Sequence, residues 1–226
     1  MSNSTSPPQG QFPLCQRTKQ ISNKIFVVTC REFLAEQADF LLDLFADVEH
    51  ENGPLRNGAK IQVGWTILIV KEREGHEGQM EIVAPDYDTN PFTETNRDLS
   101  VSLYIQMAQN HCLQTLQLTG EAALFQDKIV VAKGALEEEH VYLQRAEQRE
   151  AGDSGWYLGP VRGEVDSDGL ESYYIFQLLK HRPSLLQALA LPRGYIAVFR
   201  GDQIEAVLDE HDENVWPTLH EQRSGE

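Results

Sequence analysis

From Arg31 to His50, apolar side chains recur at Phe33, Leu34, Ala38, Leu41, Leu44, Phe45 and Val48. This is the i, i+3, i+4, i+7 spacing of a helix with one buried face. Asn52-Gly53-Pro54 ends it with a turn signal. A second helix is predicted over Asp98 to Leu118, with Leu99, Leu103, Met107, Leu113 and Leu116 among its apolar positions. Between the helices the period changes to two. Ile61, Val63, Trp65, Ile67 and Ile69 alternate with Gln62, Gly64, Thr66 and Leu68, so Lys60 to Glu74 reads as one strand. Gly75-His76-Glu77-Gly78 turns it back into Gln79 to Ala84, and Pro85 to Asn96 is a polar loop. Ser22 to Thr29 is a short strand or an extended lead-in.

The second half carries shorter apolar runs. Asp127 to Ala132 and His140 to Leu143 read as strands turned about Gly134, and Trp156 to Leu158 as a third. Val161 to Gly169 is a loop, Leu170 to His181 a helix, and Ser184 to Ala190 a shorter helix behind Pro183. Tyr195 to Phe199 and Ile204 to Leu208 form a terminal hairpin across Gly201-Asp202. The fold class that follows is α+β: two small units, each with antiparallel strands packed against helices. The expected bounds are 21–120 and 127–213, with unstructured tails at 1–20 and 214–226. Ser2 to Gln9 in particular offers too little apolar surface to order itself.

Charge narrows the partner. The 226 residues carry 35 acidic and 19 basic side chains, a net charge of −16. The excess is spread along the chain, with 16 acids against 9 bases up to Gln126 and 19 against 10 beyond it. Such a surface repels nucleic acid and anionic membranes and speeds encounter with basic proteins. Part of the charge is ordered by the first helix. Glu32, Glu36, Asp39, Asp43 and Asp47 occupy a stripe roughly 80° wide at 3.6 residues per turn. No Lys or Arg lies between Glu32 and Glu51 to pair with them inside the helix. The stripe is either a solvated face or an acidic docking surface.

The chemistry is sparse. Cys15, Cys30 and Cys112 are odd in number and widely spaced, which is neither a disulfide framework nor a zinc site, and reduced buried thiols are expected. The seven histidines show no metal-ligand spacing, and Asp86 and Asp88 lack the further acids and glycine of a calcium loop. No phosphate-cradling loop or dinucleotide fingerprint is present, so no cofactor and no metal are expected. No apolar run reaches the ~18 residues of a membrane span, and the first thirty residues lack the pattern of a signal peptide. A soluble, cytoplasmic protein is the expectation.

One stretch stays open. Gly152-Asp153-Ser154-Gly155-Trp156 can be a turn holding a serine nucleophile, a partner-binding loop, or a strand start with a core tryptophan. The protease reading wants a second glycine where Trp156 stands, and a histidine and aspartate in support. A nucleophile elbow also needs glycine at Trp156. Nothing in the sequence assembles an active site, so no catalytic residue is assigned. A hydrolase using Ser154 and a general acidic adaptor remain the alternatives to the reading below.

In order, Ile129 to Ala132, Val141 to Leu143, Asp153-Ser154-Gly155-Trp156-Tyr157, Gly163-Glu164, Tyr173 to Leu179, and Pro192-Arg193-Gly194 with Phe199-Arg200 resemble a bacterial family of toxin-immunity domains, the thirty-third immunity class. The resemblance covers about 127–208. A weaker one, through Gly64-Trp65 and Glu81 to Asp88, touches the region that precedes this domain in longer members. It implies a non-catalytic protein that binds and neutralises a toxin encoded beside it. With the net charge, it favours a basic toxin, of nuclease type, delivered by a contact-dependent or type VI route. The expected toxin-binding residues are Asp153, Trp156, Glu164, Asp166 and Asp168, and secondarily Glu36, Asp39, Asp43 and Asp47.

Overall fold

The computed structural model describes residues 12–147, 150, 152–162 and 169–217. Two compact units meet in sequence at Met107 and Ala108, within one helix.

The N-terminal unit begins with β1 (Leu14–Ile21) and β2 (Lys24–Arg31), an antiparallel hairpin whose tight turn holds Ser22 at φ 52°. Residues 14–20 therefore form a strand where a tail is expected. Its sequence, Leu-Cys-Gln-Arg-Thr-Lys-Gln, shows little apolar alternation because it is an edge strand with mostly exposed residues. A 3-10 turn (Glu32–Leu34) leads into α1 (Ala35–Asn52), which buries Ala38, Leu41, Leu42 and Phe45. Leu44, expected on that face, is instead 40% exposed. Gly53, at φ 88°, closes the helix by donating its N–H to the Glu49 carbonyl.

The single strand expected over Lys60 to Glu74 is two strands: β3 (Lys60–Val63) and β4 (Thr66–Glu72), paired antiparallel across Gly64-Trp65. Gly64 sits at φ +54°, where a side chain is strained, and a Cβ there would lie 1.6 Å from Gln106 Oε1. The turn sends the Trp65 indole inward, where it stacks on Tyr87 at 4.9 Å and donates to the Ser102 carbonyl at 3.3 Å. Next come β5 (Gln79–Pro85), the two-residue β6 (Thr95–Asn96) and α2 (Ser100–Leu116). The sheet runs β1-β2-β5-β4-β3, with β6 on β5. Its one parallel pair is β2 with β5, joined by a connection that includes α1. The core lies between α1 and the sheet, around Phe26, Val28, Leu42, Phe45, Val70 and Ile82.

The C-terminal unit takes the end of α2, then β7 (Lys128–Ala132), β8 (His140–Arg145) and β9 (Asp153–Pro160). The order β10-β7-β9-β8-β11-β12 shows that β7 and β8 do not pair with each other. β9 lies between them, parallel to β7 and antiparallel to β8. Residues 170–174, expected as helix, are a strand, β10 (Leu170–Tyr174), antiparallel to β7. Helical backbone is confined to a 3-10 turn (Ile175–Gln177) and α3 (Leu178–His181). Adjacent tyrosines favour an extended backbone, and the open edge of β7 supplies its hydrogen bonds. A 3-10 helix (Pro183–Ala188) precedes the hairpin β11 (Ile196–Arg200) and β12 (Gln203–Leu208).

Alternation along these strands gives two faces. Ile129, Val131, Val141, Leu143, Leu158 and Phe199 are fully buried with the leucines of the 3-10 helix. Val130, Tyr142, Tyr157 and Val198 are half-buried on the other face, where the Tyr142 and Tyr157 rings stand 5.8 Å apart. The α+β class holds for both units, with one parallel pair in each sheet.

Candidate functional site

The Gly152 to Trp156 stretch is a bulge at the start of β9. Asp153 pairs with Lys128 and Tyr157 with Val130, so three residues of β9 stand opposite one of β7. Gly152 and Gly155 take φ of +81° and +77°, which explains both glycines. The side chains repair the interrupted ladder. Ser154 Oγ donates to the Lys128 carbonyl at 2.6 Å and accepts the Trp156 N–H at 3.1 Å. Asp153 Oδ1 accepts the Gly155 N–H at 2.9 Å. Ser154 is 0% exposed, so its hydroxyl is held by backbone on both sides and shielded from solvent.

The bulge re-aims Trp156 into the core. It is 1% exposed, and its indole N–H donates to the Leu189 carbonyl at 3.2 Å. Trp156 was expected at the toxin interface; the structure places it beneath the surface instead. Its cross-strand partner on β8 is Arg145, whose guanidinium lies 5.5 Å from the indole ring. Arg145 is also 1% exposed, and Nη1 donates to the carbonyls of Glu121 and Leu191 at 2.6 and 2.5 Å. The Glu121 carboxylate in turn takes a two-pronged pairing from Arg193, at 3.0 and 2.9 Å, which raises the Arg193 pKa. Gly194, at φ +82°, donates its N–H to the Arg145 carbonyl at 3.1 Å. Ser154, Gly155 and Trp156 thus meet Arg193 and Gly194 through one buried arginine. Composition and periodicity did not single out Arg145. Its only mark was a cation alternating with Val141 and Leu143 on the inward side of a strand.

A second buried cation secures the far end of the unit. Arg182 donates to the carbonyls of Glu138, at 2.6 Å, of Glu139 and of Gly201, tying the loop after β7 to the turn between β11 and β12. Burial lowers its pKa. These networks are structural, and at the bulge they hold the Ser154 hydroxyl on backbone. Among the described residues no group of three or more His, Cys, Asp or Glu side chains can hold a metal. No helix among them is long and apolar enough to cross a membrane.

The acidic candidates separate. Asp153 is half-buried at the bulge. Glu164, Asp166 and Asp168, and the Gly163-Glu164 motif, lie outside the described residues. On α1, Asp39 takes a two-pronged pairing from Arg17 of β1, at 2.8 and 2.7 Å, and Asp43 pairs with Lys19. Glu36 and Asp47 are exposed, and neither forms an ion pair among the described residues. The stripe on the helix is therefore half neutralised by an edge strand that its own sequence does not contain.

The segment that carries the bulge and both arginines is the one that comparison recognises. Residues 108–210 match the Imm33-like domain. The match starts at Ala108, where the C-terminal unit also starts. The match covers most of that unit and supports an immunity-protein-like domain there, and with it an immunity function in general terms. No curated protein and no solved structure matches the chain. Within the matched residues, Trp156, Arg145 and Glu121 bring Ser154-Gly155-Trp156 and Pro192-Arg193-Gly194 to one packing joint.

Proposed function

We propose that this protein neutralises a cognate secreted bacterial toxin by direct, stoichiometric binding in the cytoplasm. The observation that carries this reading is the Imm33-like match over residues 108–210. Two physical facts support it. The bulge spends its serine hydroxyl on backbone, which favours action by contact over a serine mechanism. The net charge of −16 suits a basic toxin, and nucleases are basic because they bind phosphates. A nuclease-type toxin, delivered by a contact-dependent or type VI route, fits best.

Acidic side chains then steer the encounter and cover the toxin's basic cleft. Asp153, Glu164, Asp166 and Asp168 form the main contact set, with Glu36, Asp39, Asp43 and Asp47 as the second. Trp156 supports Asp153 from inside the fold, in the same bulge.

The test is co-expression with the product of the adjacent gene, followed by affinity capture. Growth rescue with a one-to-one complex supports the reading. Undiminished toxicity with no complex overturns it. In the same assay, Asp166→Lys with Asp168→Lys weakens the complex and flattens its salt dependence while the melting curve stays in place. Binding indifferent to both substitutions and salt removes that contact set.

A further inference from the structure

The outer side of α1 carries more than charge. Phe40 is 70% exposed and Leu44, one turn on, is 40% exposed. At 3.6 residues per turn, Glu36, Asp47, Phe40, Glu51 and Leu44 follow one another within roughly 80° of helix circumference. Carboxylate and apolar side chains therefore alternate on one surface. Glu36, Asp47 and Glu51 are exposed, and none forms an ion pair among the described residues, unlike Asp39 and Asp43 on the flank facing β1. Folding has no use for Phe40, since the inward face is already filled by Ala38, Leu41, Leu42 and Phe45.

We infer that this face docks a basic protein, the toxin of the preceding reading, on which the inference rests. Phe40 enters an apolar pocket as the anchor, and Lys or Arg side chains at the pocket rim meet Glu36, Asp47 and Glu51. An exposed aromatic within a polar rim is the arrangement that concentrates binding energy, and a guanidinium can also stack on the Phe40 ring. Charge decides the occupant. A second copy related by two-fold symmetry would set the same three carboxylates against themselves. Nucleic acid and anionic lipid are repelled outright.

The test uses the full chain and the purified product of the adjacent gene, with association and dissociation followed separately. Phe40→Ser weakens binding by about tenfold or more, mainly through faster dissociation. Glu36→Lys, Asp47→Lys and Glu51→Lys together slow association and flatten its salt dependence. The same three-charge reversal at Glu72, Glu74 and Glu77, in and beside the exposed β4–β5 loop, has the smaller effect. All variants keep the parent's circular dichroism and melting curve. Tight binding unchanged by Phe40→Ser, or an equal loss from the loop reversal, overturns the inference and leaves the immunity reading standing. No binding by the parent chain removes both. A parent dimer that Phe40→Ser makes monomeric assigns the face to self-association and also overturns the inference.

Discussion

Arg145 and Trp156 face each other across β8 and β9, guanidinium to indole at 5.5 Å, and each is 1% exposed. A buried cation is tolerated only when its desolvation is offset. Here the ring, two backbone carbonyls and the Glu121 carboxylate, 3.5 Å away, share that role. Truncating either residue should be severe. Trp156→Ala costs about 3–5 kcal/mol through the cavity it leaves. Arg145→Ala costs a similar amount, about 3–5 kcal/mol, by stranding the groups it satisfies. Because the two share a site, the double variant loses less than the sum, with a coupling of about 0.5–3 kcal/mol. Urea unfolding of the four proteins in this cycle measures it, and strict additivity would show that the joint is no unit.

Ser154 gives an opposite expectation for function. Ser154→Ala removes one acceptor and one donor from a buried bulge, which costs about 1–3 kcal/mol. On the proposed function, a Ser154→Ala protein that remains folded should protect fully against the toxin, because the hydroxyl is held by backbone on both sides. Native protein is likewise inert to serine-directed fluorophosphonates. Protection lost by a folded Ser154→Ala protein, or stoichiometric labelling of Ser154, would restore the hydrolase.

What could be read ahead of the structure follows from how local each signal is. α1 and the hairpin of β11 and β12 are set by periodicity and turn residues within one segment, and both stand close to their expected bounds. β1 is an edge strand with mostly exposed residues, so its order comes from its pairing with β2 rather than from its own pattern. The placing of β9 between β7 and β8, and the strand at 170–174, are non-local pairings that no window of sequence encodes. At the site, Ser-Gly-Trp was visible as a motif. Its depth was not, because an aromatic at a strand start serves core and interface alike. Phe40 falls outside the i, i+3, i+4, i+7 set of the first helix, so periodicity alone gives it no role.

The flank of α1 that meets β1 is a test of how little exposed ion pairs contribute. Arg17 and Asp39 are each 45% exposed, and Lys19 and Asp43 are 40% and 59% exposed. Asp39→Asn should change stability by less than about 1 kcal/mol, and less still in high salt. Thermal melts at low and high ionic strength check this. A loss of several kcal/mol would mean that the pair, rather than the apolar face of α1, holds the helix on the sheet.

Alkaline pH probes the interior of both units. Burial pushes the thiols of Cys30 and Cys112 up to about 12, with Cys15 beside Cys30 acting in the same direction. Burial also pushes the Tyr87 phenol up to about 12, partly offset by its hydrogen bond with Thr66. In the unfolded chain these groups lose their protons near pH ~8.5 for cysteine and ~10 for tyrosine. Above those values the folded state holds protons that the unfolded state has released, so stability declines as pH rises toward 12. Urea midpoints should therefore fall steadily from pH 8 to pH 11, and Cys112→Ala should shallow that decline. At pH 8 the native protein leaves Cys30 and Cys112 unmodified by a thiol reagent, because the reactive thiolate is scarce and shielded. Adding denaturant brings all three cysteines into reaction. Rapid modification of Cys112 in the folded protein, or midpoints that stay level to pH 11, would mean that these groups are open to water.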